Sequence, residues 1–153
     1  MATHELVLEL ILDGAKEKYF LCWTQPELLK RWFAPLPFTT SGAEIDLRVG
    51  GACNLTMRSP EGVEMPNPGV FLEIVPNRKL VFTDAFTAGF TPKDGVPFMV
   101  AEVNFEDAGE GKTKYVARAR HWTAEAKAQR EQMGFREGWT QCAKQLEALV
   151  KSL

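Results

Sequence analysis

Alternation is the first regularity of the chain. Over residues 4–12, Leu6, Leu8 and Leu10 alternate with Glu5, Val7 and Glu9, the period-two spacing of a strand with one buried face. Residues 14–23 cluster Tyr19, Phe20 and Trp23 and predict a short helix, with Asp13 placed to cap it. Thr24-Gln25-Pro26-Glu27 has capping-box spacing with proline in the first turn, which predicts a second short helix as far as Trp32. Pro35 and Pro37 cannot continue it. Alternating stretches at 43–49, 53–58, 70–75, 79–84, 98–105 and 114–122 read as six further strands, divided by Gly50-Gly51, Pro60-Glu61-Gly62, Pro76-Asn77 and the glycines at 109 and 111. Residues 85–97 lose both periods and read as a long loop, a candidate lid.

The last stretch changes period. Phe135, Trp139, Cys142, Leu146, Leu149 and Val150 recur at three- and four-residue steps within 125–153, so they share one face of a helix. Arg136, Glu137, Gln141, Lys144, Gln145, Glu147 and Lys151 take most of the other face. Such a helix runs to about 40 Å. One α+β domain over 1–153 follows as the economical arrangement, a curved antiparallel sheet wrapped around a long terminal helix.

Composition narrows the function classes. The 153 residues are 45% hydrophobic and 25% charged, and 18 basic against 20 acidic side chains leave a net charge of −2. That balance gives no footprint for nucleic acid or an anionic membrane. The N-terminal apolar run has no basic flank and no small-residue cleavage site, so it is not expected to be a signal peptide. No apolar stretch reaches the roughly 18–20 residues of a membrane span. Cys22, Cys53 and Cys142 are odd in number and sit in apolar settings, which fits reduced thiols and a cytoplasmic location. No HxxH, HExxH or CxxC pattern occurs, and residues 109–113 lack the upstream glycine and helix of a phosphate loop. Neither a metal nor a cofactor is expected.

Three stretches in this order resemble a known family: Trp23-Thr24-Gln25-Pro26-Glu27 continuing to Trp32-Phe33, then Asp46-Leu47-Arg48-Val49-Gly50-Gly51, then Met133-Gly134-Phe135-Arg136-Glu137-Gly138-Trp139. With Gly69–Pro76 and Leu80–Thr83 between them, the chain resembles the START-like (SRPBCC) superfamily. Within it, the resemblance is to small bacterial homologues of the C-terminal domain of the activator of heat-shock-protein-90 ATPase. It implies a helix-grip fold, in which a seven-stranded antiparallel sheet grips the C-terminal helix above two short helices. It also implies a hydrophobic cavity between sheet and helix. The superfamily includes lipid carriers, hormone-binding proteins and polyketide cyclases, so the fold does not choose a function.

Strand parity and helix face then nominate the lining. Phe71 and Glu73 share a parity, as do Phe82 and its neighbour Asp84, and Tyr115, Ala117, Ala119 and His121. The small Ala117 and Ala119, facing a helix that bears Phe135 and Trp139, are expected to leave room for a ligand. Trp32 and Phe33 are candidates for the cavity mouth, and Phe86 and Phe90 for a gate on the long loop. Arg48, paired with Asp46 or Glu73, is a candidate charged floor. His121 and Glu73 are the weak candidates for acid–base catalysis. The leading expectation is a non-enzymatic binder of a small apolar or amphipathic ligand. Two alternatives are a cyclase, aromatase or hydrolase acting on a polyketide-like or ester substrate, and a module that docks on a chaperone or another protein.

Overall fold

A computed structural model describes residues 4–95, 97 and 99–153. The leucines of the first alternating run set its base. Strand β1 (His4–Asp13) turns Leu6, Leu8 and Leu12 inward. Helix α1 (Lys16–Thr24) and helix α2 (Pro26–Leu29) follow. The capping box is not used: Thr24 Oγ1 donates back to the Phe20 carbonyl at 2.9 Å, and α2 has no side-chain cap. A threonine hydroxyl at a helix end has both options, and here it closes the helix behind it.

The expected strands appear as β2 (Thr39–Ile45), β3 (Cys53–Arg58), β5 (Val70–Val75), β6 (Lys79–Thr83), β9 (Val100–Asp107) and β10 (Lys112–His121). Three short ones add to them, β4 (Glu64–Asn67), β7 (Phe86–Thr87) and β8 (Thr91–Pro92). Strand β2 lies earlier than the alternation predicts, because residues 46–51 close a turn. Asp46 donates its backbone N–H to Ala52, and Gly51 donates to Arg48. The expected start of β9 at Phe98 lies outside the described residues.

Instead of the one seven-stranded sheet that the resemblance implies, five strands form an antiparallel sheet in the order β1-β10-β9-β6-β5, and β2-β3-β4 form a second. Gly50–Cys53 join the two: Ala52 bridges Val70, Phe71 N–H donates to Gly51 at 3.1 Å, and Cys53 N–H to Gly69 at 2.9 Å. The outer face of the larger sheet carries Glu5, Glu102, Arg118 and Arg120 in a ladder of ion pairs. The inner face carries the core.

The terminal helix is two helices. Helix α3 (Ala124–Gln132) is capped by the Thr123 hydroxyl, which accepts from Ala126 N–H at 3.0 Å. Gly134, at φ +93°, then breaks the path before α4 (Phe135–Ser152). A positive φ is available to glycine at little cost, and it redirects the chain between the two segments. Only α4 is strongly amphipathic: Phe135, Ala143, Leu146, Leu149 and Val150 are buried, whereas α3 buries no residue fully.

Candidate functional site

Trp23 on α1 is the centre of the helix-side packing. Its ring lies 4.9 Å from Trp32, 5.5 Å from Phe33 and 5.7 Å from Phe82, and Phe82 lies 6.4 Å from Phe71. Edge-to-face pairs at these separations add to burial. Polar atoms inside the cluster are satisfied, since Trp23 Nε1 donates to Tyr115 Oη at 3.2 Å and Trp32 Nε1 to the Cys22 carbonyl at 3.0 Å. Burial pushes the Tyr115 phenol well above its ordinary value, so it stays protonated. Trp32 therefore seals the short helices, while Phe33 is half-buried at the surface.

Ala117 and Ala119 lie in the inner row as expected. Ala119 stands in register with Leu6 on one side and Ala101 on the other, and Ala101 with Phe82. Both alanines are 0% exposed. No space large enough for a water touches either, so the surrounding core covers them completely. Phe71, Tyr115 and Phe135 belong to the same buried cluster. Around it lies a half-buried apolar fringe: Phe33, Ile45, Phe82, Met99, Trp139 and Cys142. Trp139 stacks against Phe135 at 5.2 Å.

Glu73 and Arg48 do not join this set. Strand β5 carries a bulge between Phe71 and Glu73: Phe71 pairs with Phe82, but Glu73 pairs with Val81. One extra residue reverses every later side chain. Glu73 therefore faces solvent, with its carboxylate 3.0 Å from Lys79 Nζ, and Ile74 takes the inward place opposite Leu80. Parity counting fails at Leu72, and with it the pairing of Glu73 with Arg48 and the place of Glu73 in the candidate site. Arg48 lies on the exposed turn, its Nε 2.7 Å from the Asp46 carboxylate.

The long loop is partly ordered as a hairpin. Phe86 and Phe90 pack on each other at 6.0 Å in β7–β8. Gly89 N–H donates to the Gly50 carbonyl, and Gly50 N–H to the Phe71 carbonyl, each at 2.8 Å. A side chain at Gly50 would meet the Phe90 ring at 2.8 Å. The hairpin is thus docked on the 46–51 turn. Val96, within the stretch read as a lid, lies outside the described residues.

His121 closes the inner row of β10 at the end covered by α3. It is 8% exposed, and its Nδ1 lies 3.1 Å from the His4 carbonyl. A carbonyl only accepts, so in the neutral ring Nδ1 carries the proton and Nε2 keeps a bare lone pair. That Nε2 is buried without a hydrogen-bond partner among the described residues. Burial pushes the imidazole below its ordinary pKa, opposed by the His4 hydrogen bond, and the cations Arg130 and Lys127 push it further down. Ala126, Lys127 and Arg130 are the half-buried residues of α3. The buried Asp84, next in the inner row after Phe82, acts on Arg130 through its charge.

Among the described residues, two small surface clefts can be named besides. One, of about 80 Å³, is lined by Lys30–Ala34, Leu36, Phe38–Thr40 and Gln145. The other, of about 190 Å³, is lined mainly by polar and small residues including Asn67, Asp84, Lys93 and Asp94. Both fall below the few hundred Å³ of a drug-sized pocket. The first contains a residue that the helical wheel assigned to solvent. Gln145 Nε2 donates to the Trp32 carbonyl at 2.9 Å and the Ala34 carbonyl at 2.7 Å, and its Oε1 accepts from Leu36 N–H at 3.2 Å. A glutamine beside an apolar stripe was the sole sequence signal.

Comparison with known proteins places this arrangement. Residues 14–151 match the family model described as Activator of Hsp90 ATPase homolog 1-like protein, and the chain belongs to that family. A crystal structure of a Nitrosomonas europaea protein is 37% identical, with a TM-score of 0.92 over 97% of this chain and 94% of that one. A Mycobacterium smegmatis protein is 21% identical, with a TM-score of 0.80 over 97% and 91%. An AHSA1-like protein from Aeromonas hydrophila is 21% identical, with a TM-score of 0.72 over 97% and 92%. The last two likenesses speak for the fold alone. No curated protein matches the chain. The helix-grip fold and the START-like resemblance read from the sequence are both borne out. Among the described residues, no helix is long and apolar enough to cross a membrane.

Proposed function

We propose that this protein binds a small hydrophobic or amphipathic molecule at the seam between the inner sheet face and α4. The observation that carries this reading is the apolar fringe. Phe33, Ile45, Phe82, Met99, Trp139 and Cys142 come from both sides of the seam, pack against the core, and are left half-buried. A monomer gains by burying such side chains completely, at roughly 25 cal/mol per Å², and a ligand seated among them supplies that burial. Ala117 and Ala119 touch no open space, so entry requires the fringe to part. Binding is tested by an NMR amide-shift titration with fatty acids, flavonoids, sterols and polyketides. Saturable shifts on the 135–142 face and in 80–83 and 115–121 are expected. A flat response across the panel would overturn the reading.

A protein-docking reading has one observation in its favour. Leu47, Val49 and Phe90 are exposed apolar residues on the 46–51 turn and the hairpin docked on it. Under that reading, a partner captured by the wild type is lost on Val49→Ser combined with Phe90→Ser, while ligand titrations stay flat.

A further inference from the structure

We infer that the ligand carries a hydroxyl, which donates its hydrogen to Nε2 of His121 beneath α3, with α3 acting as the lid over that end of the seam. The inference rests on the ligand-binding reading above and names the polar group the ligand must bring.

The acceptor is defined by its surroundings. Nδ1 spends its proton on the His4 carbonyl at 3.1 Å, so the free nitrogen can only receive a hydrogen bond. It is buried without a partner among the described residues, a state that proteins seldom leave uncompensated. Arg130 and Lys127 on α3 oppose a positive charge on the ring. The imidazole thus stays neutral, and the acceptor stays available. A carboxylate brings no hydrogen to Nε2, and an ether or hydrocarbon brings none either. An alcohol or phenol does. The nearby cations also favour oxygen-centred negative charge, which suits a phenolic oxygen polarised by the contact.

The neighbourhood gives the ligand a direction. Two residues from His121 on the same strand face lies Ala119, in register with Ala101 and then Phe82. Once the fringe parts, an apolar body anchored at His121 lies along Ala119 and Ala101 toward the Trp23 and Phe82 rings. The cover over the anchor is lightly packed. Helix α3 buries no residue fully, only Ala126, Lys127 and Arg130 being half-buried, and it ends at Gln132, two residues before Gly134 with φ +93°. Elements with few buried contacts open at low free energy.

The test uses a matched pair, 2-naphthol and 2-methoxynaphthalene, added to the full chain at pH 7.5. Amide shifts give the affinities, and imidazole ¹⁵N shifts report Nε2; with two histidines in the chain, His121→Phe assigns the signals. The inference expects 2-naphthol to bind about tenfold more tightly than its ether, the worth of one buried hydrogen bond. It also expects a shift of His121 Nε2 with naphthol alone, and equal affinities in His121→Phe. Equal affinities in the wild type, or an unmoved Nε2 with naphthol bound, overturn the hydroxyl contact and leave the binding reading intact. No saturable shift at the seam with either compound overturns both. If His121→Phe does not fold, His4→Gln assigns the signals, and the wild-type comparison and the Nε2 shift decide.

Discussion

Replacing Ala119 by leucine asks directly whether the space between sheet and helices is filled. Ala119 is 0% exposed and sits between Leu6 and Ala101 in the register of the sheet. An isobutyl group in place of its methyl has no water-sized gap to enter, so neighbouring rotamers and the segments packed over the sheet must shift. Overpacking of this kind costs about 1–3 kcal/mol. For a chain of this size that is a fall in Tm of about 2–4 °C per kcal/mol. In urea, with a slope near 2 kcal/mol/M, the midpoint falls by about 0.5–1.5 M. Equilibrium unfolding followed by tryptophan fluorescence and circular dichroism gives both numbers, and an unchanged slope shows that the denatured state is not responsible. An Ala119→Leu variant as stable as the wild type, or more so, would refute the reasoning. It would mean that a permanent cavity already lies beside Ala119.

Two further expectations follow from the site. His121 has a folded pKa below its unfolded value of about 6.5, so between the two the unfolded chain binds more protons and stability rises with pH. The groups facing it are the His4 carbonyl on β1, Lys127 and Arg130 on α3, and Asp84 beside Arg130. Its contribution is thus complete above about pH 6.5 and is lost as pH falls toward the folded value; Tm measured from pH 5 to 8 should lose this component in His121→Gln, and identical profiles would contradict it. Glu73→Ala and Arg48→Ala should each change unfolding free energy by no more than about 0.5 kcal/mol, since their ion pairs are exposed. A loss above about 2 kcal/mol at either would restore the buried, cavity-facing assignment that strand parity predicted.

Much of the scaffold was legible because burial writes itself into periodicity. The leucines of β1 and the apolar stripe of α4 each name their inward face, and the glycine turns name the strand ends. What the sequence could not disclose depends on contacts between distant segments. Gly134 interrupts a helical pattern that reads as continuous, and whether a glycine bends or breaks a helix is decided by where each half packs. The bulge at Leu72 leaves the alternation unmarked, yet it turns Glu73 from the candidate site to solvent. Residues 46–49 alternate like a strand but are folded into a turn by hydrogen bonds from Asp46 to Ala52 and from Gly51 to Arg48. His121 was found by parity, whereas its missing partner and the cations above it became visible only when α3 was placed.

Gln145 has a consequence of its own. Through one side chain, α4 holds the carbonyls of Trp32 and Ala34 and the amide of Leu36. Both hydrogens of its Nε2 are committed to the same rigid strip of chain. Any guest that levers α4 away from the short helices must stretch these bonds together. The two primary-amide protons of Gln145 then become a native strain gauge. Their resonances, and the rate at which they trade with solvent deuterium, register the separation of helix and loop without a label, whatever the guest turns out to be.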